Sequence, residues 1–241
     1  LIKLQQAAEL NNPSIAQAVA RIDAARAASG ATNGNMLPTI NGSASQSRNN
    51  GNDGSDIARR SRLGTIDASW EIDLWGALRA GRRASDAQLT ARTMEWHAAR
   101  TSIAAEVAQT YVAYRACQAQ SAALKSDVVS REETARLTDL LVHAGFSAPA
   151  EGYLTDASAA TGRQQQIASA AECDLNIKSL VALTGLSEPE TRDVLIKNAG
   201  VQPRAPEFTL TALPIDIISQ RPDVAAAERT LAAASAQINV A

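Results

Sequence analysis

Large apolar side chains are scarce in this chain. Aromatics make up 3% of its 241 residues, and alanine supplies much of the 45% that are apolar. A globular core built mainly from alanine buries little area per residue. Alanine-rich helices instead suit close packing along a seam. A net charge of -2 leaves no basic field for nucleic acid. No run of about eighteen apolar residues occurs, so the sequence writes no transmembrane helix. No initiator methionine, signal peptide or lipobox cysteine stands near the start. Leu1 already falls inside a helical reading, so further residues are expected upstream.

Catalytic groupings are missing too. His97 and His143 stand without Cys, Asp or Glu at metal-ligand spacing and read as solvated helix-face histidines. No glycine loop of phosphate-cradling type occurs. Asp67, Glu71 and Asp73 are carboxylates at strand spacing, which one exposed strand face explains without acid–base work. Arg131-Glu132-Glu133 reads as a solvated or partner-facing stripe. The chain is therefore expected not to be an enzyme and to need no cofactor or metal.

Glycine and proline are absent from Arg82 to Ala144, although the chain holds 13 glycines and 8 prolines. These are the residues that most often end a helix. Ala, Arg, Gln, Glu and Leu dominate the stretch, and all are good helix formers. As one helix it would be about 95 Å long, which makes it a spacer, a coiled coil or a tube wall. Several helices with unmarked breaks is the plainer alternative. Ile103, Val107, Tyr111, Tyr114, Val128, Leu137, Leu141 and Val142 follow helical spacing within it. It breaks at Gly145-Phe146-Ser147-Ala148-Pro149, and a second helical run from Glu151 to Leu183 leads to Thr184-Gly185, a natural C-cap. The pair reads as an antiparallel αα-hairpin.

Gly145 lies midway between Cys117 and Cys173. In a hairpin turning there, equal offsets mean equal height, roughly 42 Å from the turn. The two cysteines are expected to face each other and to bridge in an oxidising compartment. Two buried thiols at the same height is the other reading.

Before the rod, residues 1–36 read as helix punctuated at Asn12-Pro13. Asn12 is the N-cap and Pro13 the first helical position. Ile15, Ala18, Val19, Ile22, Ala25 and Ala28 or Ser29 form an apolar stripe. From Leu37 to Ser47 the texture alternates with period two. Arg48 to Asp56 reads as a polar loop. A second alternating run places Ile66, Ala68, Trp70 and Ile72 on one face, and Thr65, Asp67, Ser69, Glu71 and Asp73 on the other. This is a β-hairpin with one weakly apolar and one wet face. A transmembrane barrel with a watery lumen accepts that pattern, and Trp70 and Trp75 suit a membrane boundary. A surface hairpin with two packed tryptophans fits the pattern as well.

After Gly185 the chain is irregular over 186–213, apart from a short helix at Pro189–Lys197 capped by Ser187. At Arg221 it starts over. Pro222 and Val224 meet Pro13 and Ile15 at an offset of about 209 residues, with Ile22 meeting Leu231. One large unit is duplicated, and the sequence holds one copy and the opening of the next.

This order, with Trp70-Glu71-Ile72-Asp73-Leu74-Trp75-Gly76, Leu183-Thr184-Gly185 and Gln220-Arg221-Pro222-Asp223-Val224 as its most specific stretches, resembles the TolC-type outer membrane factor family. It looks closest to the NodT-like lipoprotein branch. The resemblance implies a mainly α fold with a β-hairpin: long antiparallel coiled-coil helices of an α-barrel, plus strands of a trimeric β-barrel, about one half of the duplicated unit. On that basis 1–36 is a short tunnel helix, 37–75 a transmembrane β-hairpin and 76–185 a long periplasmic αα-hairpin. Residues 186–220 are an equatorial connector, and 221–241 the first helix of the second repeat. The implied protein is a homotrimeric exit duct in the cell outer membrane, reaching into the periplasm. Its partners are outer-membrane lipid, a periplasmic adaptor protein and an inner-membrane transporter. By resemblance Gly145 and Phe146 contact the adaptor, although a tight turn explains Gly145 equally well. The family favours an Ala-Gly-Leu-like tip where this chain has Ala144-Gly145-Phe146. The second strand pair and second long hairpin, where the family's gating residues lie, are not in this sequence. A periplasmic coiled-coil adaptor is the alternative. The strand hairpin before the rod and the restart at Arg221 favour the duct.

Overall fold

The computed structural model describes residues 1–49, 59–197, 199–204, 218, 220–238 and 240. The elements run in the order α1 (Ile2–Asn11), α2 (Pro13–Gly34), β1 (Thr39–Asn49), β2 (Arg59–Ser69), α3 (Ala77–His143), α4 (Pro149–Thr184), α5 (Glu188–Ile196) and α6 (Pro222–Gln237). They divide into two compact units. One comprises Leu1–Gln17 and His97–Leu213, the other Ala18–Trp96 and Pro214–Ala241.

The long stretch is a single helix. α3 holds 67 residues, about 100 Å at 1.5 Å per residue. It begins earlier than the Gly-free stretch because Gly81 sits inside it, at a cost of about 1 kcal/mol relative to alanine. The reason lies at its start. Asp73 accepts hydrogen bonds from the Leu78 and Arg79 amides at 3.3 and 3.0 Å and from Arg79 Nε at 3.0 Å. Those amides have no partner within the helix, so a carboxylate there nucleates the first turn. Asp73 is thus a helix cap, not a residue on the wet face of a strand. β2 ends at Ser69, so Trp70, Glu71 and Ile72 lie beyond the ladder as well.

In the unit containing Leu1–Gln17, α4 runs antiparallel to the part of α3 from His97 onward. Arg131 Nη1 donates to Ser158 Oγ at 2.9 Å, Arg163 pairs with Glu132 at 3.1 Å, and Gly152 lies against Val142. As one residue number rises the other falls. The interior holds Leu4, Ala8, Val107, Ile177, Leu180 and Leu195. Leu137 and Leu141, expected on the apolar side of α3, are half exposed near its end, at 48% each. α5 opens with a capping box in which Ser187 and Glu190 satisfy each other's amides.

A pH prediction arises at α5. Hydrogen bonds from Lys178 and from Arg192 hold the Glu188 carboxyl below its ordinary range. The Ser187 hydroxyl and amide do the same for Glu190. A pKa lowered by folding stabilises the fold above the unfolded carboxylate range, and that stabilisation fades as pH falls through the folded pKa. Amide exchange within α5, relative to α4, is therefore expected to speed up below about pH 4.5. E188Q should remove part of that acid dependence. An unchanged profile in the variant would show that the pairs contribute nothing.

In the other unit, α2 lies against the early turns of α3. Ser29 Oγ donates to Asp86 Oδ1 at 2.7 Å, and Gly81 sits beneath Thr32. The buried residues there are nearly all alanine: Ala18, Ala80, Ala84, Ala91, Ala226 and Ala233. Asn12 Oδ1 accepts the Ser14 amide at 2.9 Å and caps α2. The α2 stripe is narrower than its spacing suggests, because Val19 is 43% exposed. β1 and β2 pair antiparallel from Thr39↔Ser69 to Asn49↔Arg59. The ladder therefore carries through Arg48 to Asn49, into what the sequence reads as loop. The rest of that loop, over 50–56, together with 57–58 and residues 205–217 of the connector, lies outside the described residues.

Candidate functional site

The turn between α3 and α4 forms a glycine-centred cap. Gly145 has φ 77. Its amide donates to Val142 O at 3.0 Å, and the Phe146 amide donates to Leu141 O at 2.8 Å. This bond pair is a Schellman motif, which needs a left-handed residue at its centre. Nothing lies within 4 Å of where a Gly145 Cβ would stand. Backbone conformation alone therefore accounts for the glycine. Pro149 starts α4, and Ser147 Oγ bonds Glu151 at 2.5 Å. Phe146 is 82% exposed, with Tyr153 and Leu154 also open on the first turns of α4. The turn therefore presents an aromatic side chain to the outside on a rigidly closed backbone.

Away from the turn, Cys117 and Cys173 are joined by a disulfide with Cα atoms 5.6 Å apart. Between the bridge and the turn, each member of Arg131-Glu132-Glu133 has a specific partner. Arg131 pairs with Asp127 at 2.7 Å and Glu133 with Arg136 at 2.6 Å. Arg131 and Glu132 also reach α4, so the run is partly a clasp between helices. The pairing holds the Glu133 carboxyl below its ordinary range. His143 is not solitary: it lies 3.4 Å from Asp139, one helical turn back. Among the described residues no group of His, Cys, Asp and Glu could hold a metal ion.

At the hairpin, the tryptophans do not pack into a core. Trp70 is 60% exposed and donates its indole N–H to Met36 O at 3.1 Å; Trp75 is 94% exposed. Ile72 and Leu74 beside them are open as well. Trp75 borders an open groove of about 860 Å³ with Arg79, Arg82, Arg83 and Asp86. Aromatic and aliphatic side chains next to arginines are the mixture that a bilayer boundary accommodates.

Three long-range contacts escape the sequence reading. Arg115 is buried at 1% exposure, and among the described residues no carboxylate partners it. Its Nη2 donates to Leu195 O and its Nη1 to Gln118 Oε1, both at 2.7 Å, and the rings of Tyr111 and Tyr114 flank it. The C-terminal carbonyl of α5 supplies part of the missing negative charge. Gly162 is buried, and a Cβ there would stand 2.9 Å from Arg131 Cδ. Asn12 reaches from α1 to donate to Leu183 O at 2.8 Å. No local pattern reports any of these contacts.

With this geometry in hand, comparison with known proteins is specific. The outer membrane efflux protein family matches residues 4–186. Outer membrane protein OprJ of Pseudomonas aeruginosa is 28% identical over 96% of this chain and 49% of its own length. Nodulation protein T of Rhizobium leguminosarum bv. viciae is 28% identical over 95% of this chain and 47% of its own. The solved structure of the outer-membrane channel OprN superposes with a TM-score of 0.83 at 25% identity, covering 99% of this chain and 54% of that one. CusC, at 21% identity and a TM-score of 0.79 over 99% of this chain and 55% of that one, shares the fold. The chain spans about half the length of the curated relatives it matches. On the match across residues 4–186, this chain belongs to the outer membrane efflux protein family.

Proposed function

We propose that this chain is about half of a protomer of a passive exit duct in the outer membrane. The hairpin of β1 and β2 contributes to a β-barrel, and α3 and α4 form part of a periplasmic tunnel wall. In this reading the full-length protein is a homotrimer. The exposed turn at Gly145 and Phe146 docks a periplasmic adaptor, which links the duct to an inner-membrane transporter. The observation that carries the reading is the pairing of a 67-residue helix with an antiparallel return helix, directly after a strand hairpin with one polar and one partly apolar face. Apolar residues left open along the helices support assembly. Val129, Ile167 and Leu175 are each more than 60% exposed, and further copies or the second half would cover them. A duct selects by bore and lining charge.

The full-length protein is expected to conduct ions across planar bilayers, and an electrically silent bilayer would refute the duct. F146D should weaken adaptor binding by about tenfold or more, since exposed aromatics dominate docking surfaces, while conductance stays unchanged. Equal adaptor affinity in F146D would remove the turn from the docking surface.

A further inference from the structure

The hairpin register sorts its side chains. Residues directly opposite one another, and alternate residues along a strand, share a face. One face carries the pairs Ile40↔Ala68, Gly42↔Ile66 and Ala44↔Gly64, all apolar or small. The same face then turns basic, with Gln46↔Arg62 followed by Arg48↔Arg60. No carboxylate occurs on it, since Asp67 lies on the opposite face. Arg48, Arg60 and Arg62 are all exposed. Like charges directly opposite one another destabilise a strand pair unless an anion lies between them.

The position of the arginines is as informative as their charge. Arg48 is about 27 Å along the strand from Ile40, which at the roughly 40° tilt of barrel strands is about 21 Å of membrane depth, and the apolar band of a membrane barrel is about 25 Å tall. The arginines sit at the end of the ladder away from Thr39 and Ser69, where the chain leaves for the helices. A guanidinium is poorly tolerated at mid-bilayer and well tolerated at headgroup level. Its planar fork binds phosphate through two parallel hydrogen bonds.

We propose that Arg48, Arg60 and Arg62 form a docking surface for phosphate-bearing lipid headgroups in the leaflet of the outer membrane facing away from the helices. This rests on the membrane-barrel reading of the hairpin. The apolar part of the face contacts acyl chains, and the three cations grip the phosphates above them. The occupant is a lipid and not free phosphate, because the cations continue an apolar face and are themselves exposed.

The test uses the full-length protein in detergent, titrated with diphosphoryl lipid A and read by native mass spectrometry. Wild type is expected to retain bound lipid. The R48Q/R60Q/R62Q variant should lose affinity by about tenfold or more. R136Q, on α3, should bind as wild type does. Millimolar inorganic phosphate should not compete; if it does, the surface is a general anion site and the proposal fails. Equal lipid affinity in the triple variant also overturns it. Should the triple variant not assemble, the three single glutamine variants carry the test, and unchanged affinity in all of them is equally decisive. Protease protection of the wild-type hairpin in native membranes reports separately on the barrel reading. A cleaved hairpin removes that foundation, whereas a protected hairpin with unaltered lipid affinity in the variants removes only the lipid surface.

Discussion

Removing the Cys117–Cys173 bridge is expected to lower stability by about 4 kcal/mol. The figure follows from the loop it closes. The two cysteines are 56 residues apart, and cross-linking over that length removes much of the freedom of the unfolded chain. The bridge joins α3 to α4 well away from their turn, so it constrains a large part of the hairpin. The native helices also have Gly162 against Arg131 and Arg163 with Glu132 to hold them. The reduced protein should therefore still fold, only less stably. Guanidinium unfolding of oxidised wild type, reduced wild type and C117S/C173S checks this. Both bridge-free forms should unfold at the same lower denaturant concentration, since agreement between them ties the loss to the bond and not to the serines. Denatured, unreduced protein should show no reactive thiol. Two reactive thiols there, or an unfolding midpoint shared by all three forms, would sink the prediction. A stable bridge also implies an oxidising compartment, consistent with helices that lie outside the cytoplasm.

The long-range order of this molecule was legible because it depends on one-dimensional signals. A stretch free of helix breakers made α3 visible, and Gly145 midway between two cysteines made the height of Cys117 and Cys173 calculable. Asn12-Pro13 and Ser187 announced their helices through cap chemistry that acts within a few residues. The hairpin announced itself by period two. Its ends were misjudged because alternation continues past the ladder: Trp70 and Ile72 keep the rhythm of β2 but have no strand opposite them. Asp73 was read as a wet-face carboxylate for the same reason, although its partners are the Leu78 and Arg79 amides. The buried Arg115 was not legible at all. Its partners Leu195 and Gln202 are 80 and 87 residues away, and a lone arginine on a helix looks the same whether it faces water or two tyrosine rings. Metal-ligand spacing does not report the contact of His143 with Asp139, 3.4 Å away and one helical turn back. Function was legible only where several such signals fell in one order.

The same distinction explains why one glycine is expected to be more costly to replace than its C-cap role alone suggests. G185A should lower stability by about 3 kcal/mol. Gly185 closes α4 in the left-handed region, at φ 66, with its amide donating to Val181 O at 2.9 Å. An alanine held there loses about 1 to 2 kcal/mol to backbone strain. The second contribution is steric and specific to this packing. A Cβ on Gly185 would stand 2.7 Å from Asn11 Cβ and 3.4 Å from Asn11 O. Neither atom can swing away, because one is backbone and the other is attached directly to it. α1 is held at this point by Asn11 Nδ2 and Asn12 Nδ2 donating to Thr184 O and Leu183 O, so the clash would push α1 off the end of α4. The two contributions separate in a double-mutant cycle. N11G deletes the offending Cβ, and in that background G185A should lose only the strain, about 1 to 2 kcal/mol. Thermal or guanidinium unfolding of the four proteins measures the coupling. Strictly additive losses would mean that α1 moves aside freely, and that Gly185 is there for its backbone angle alone.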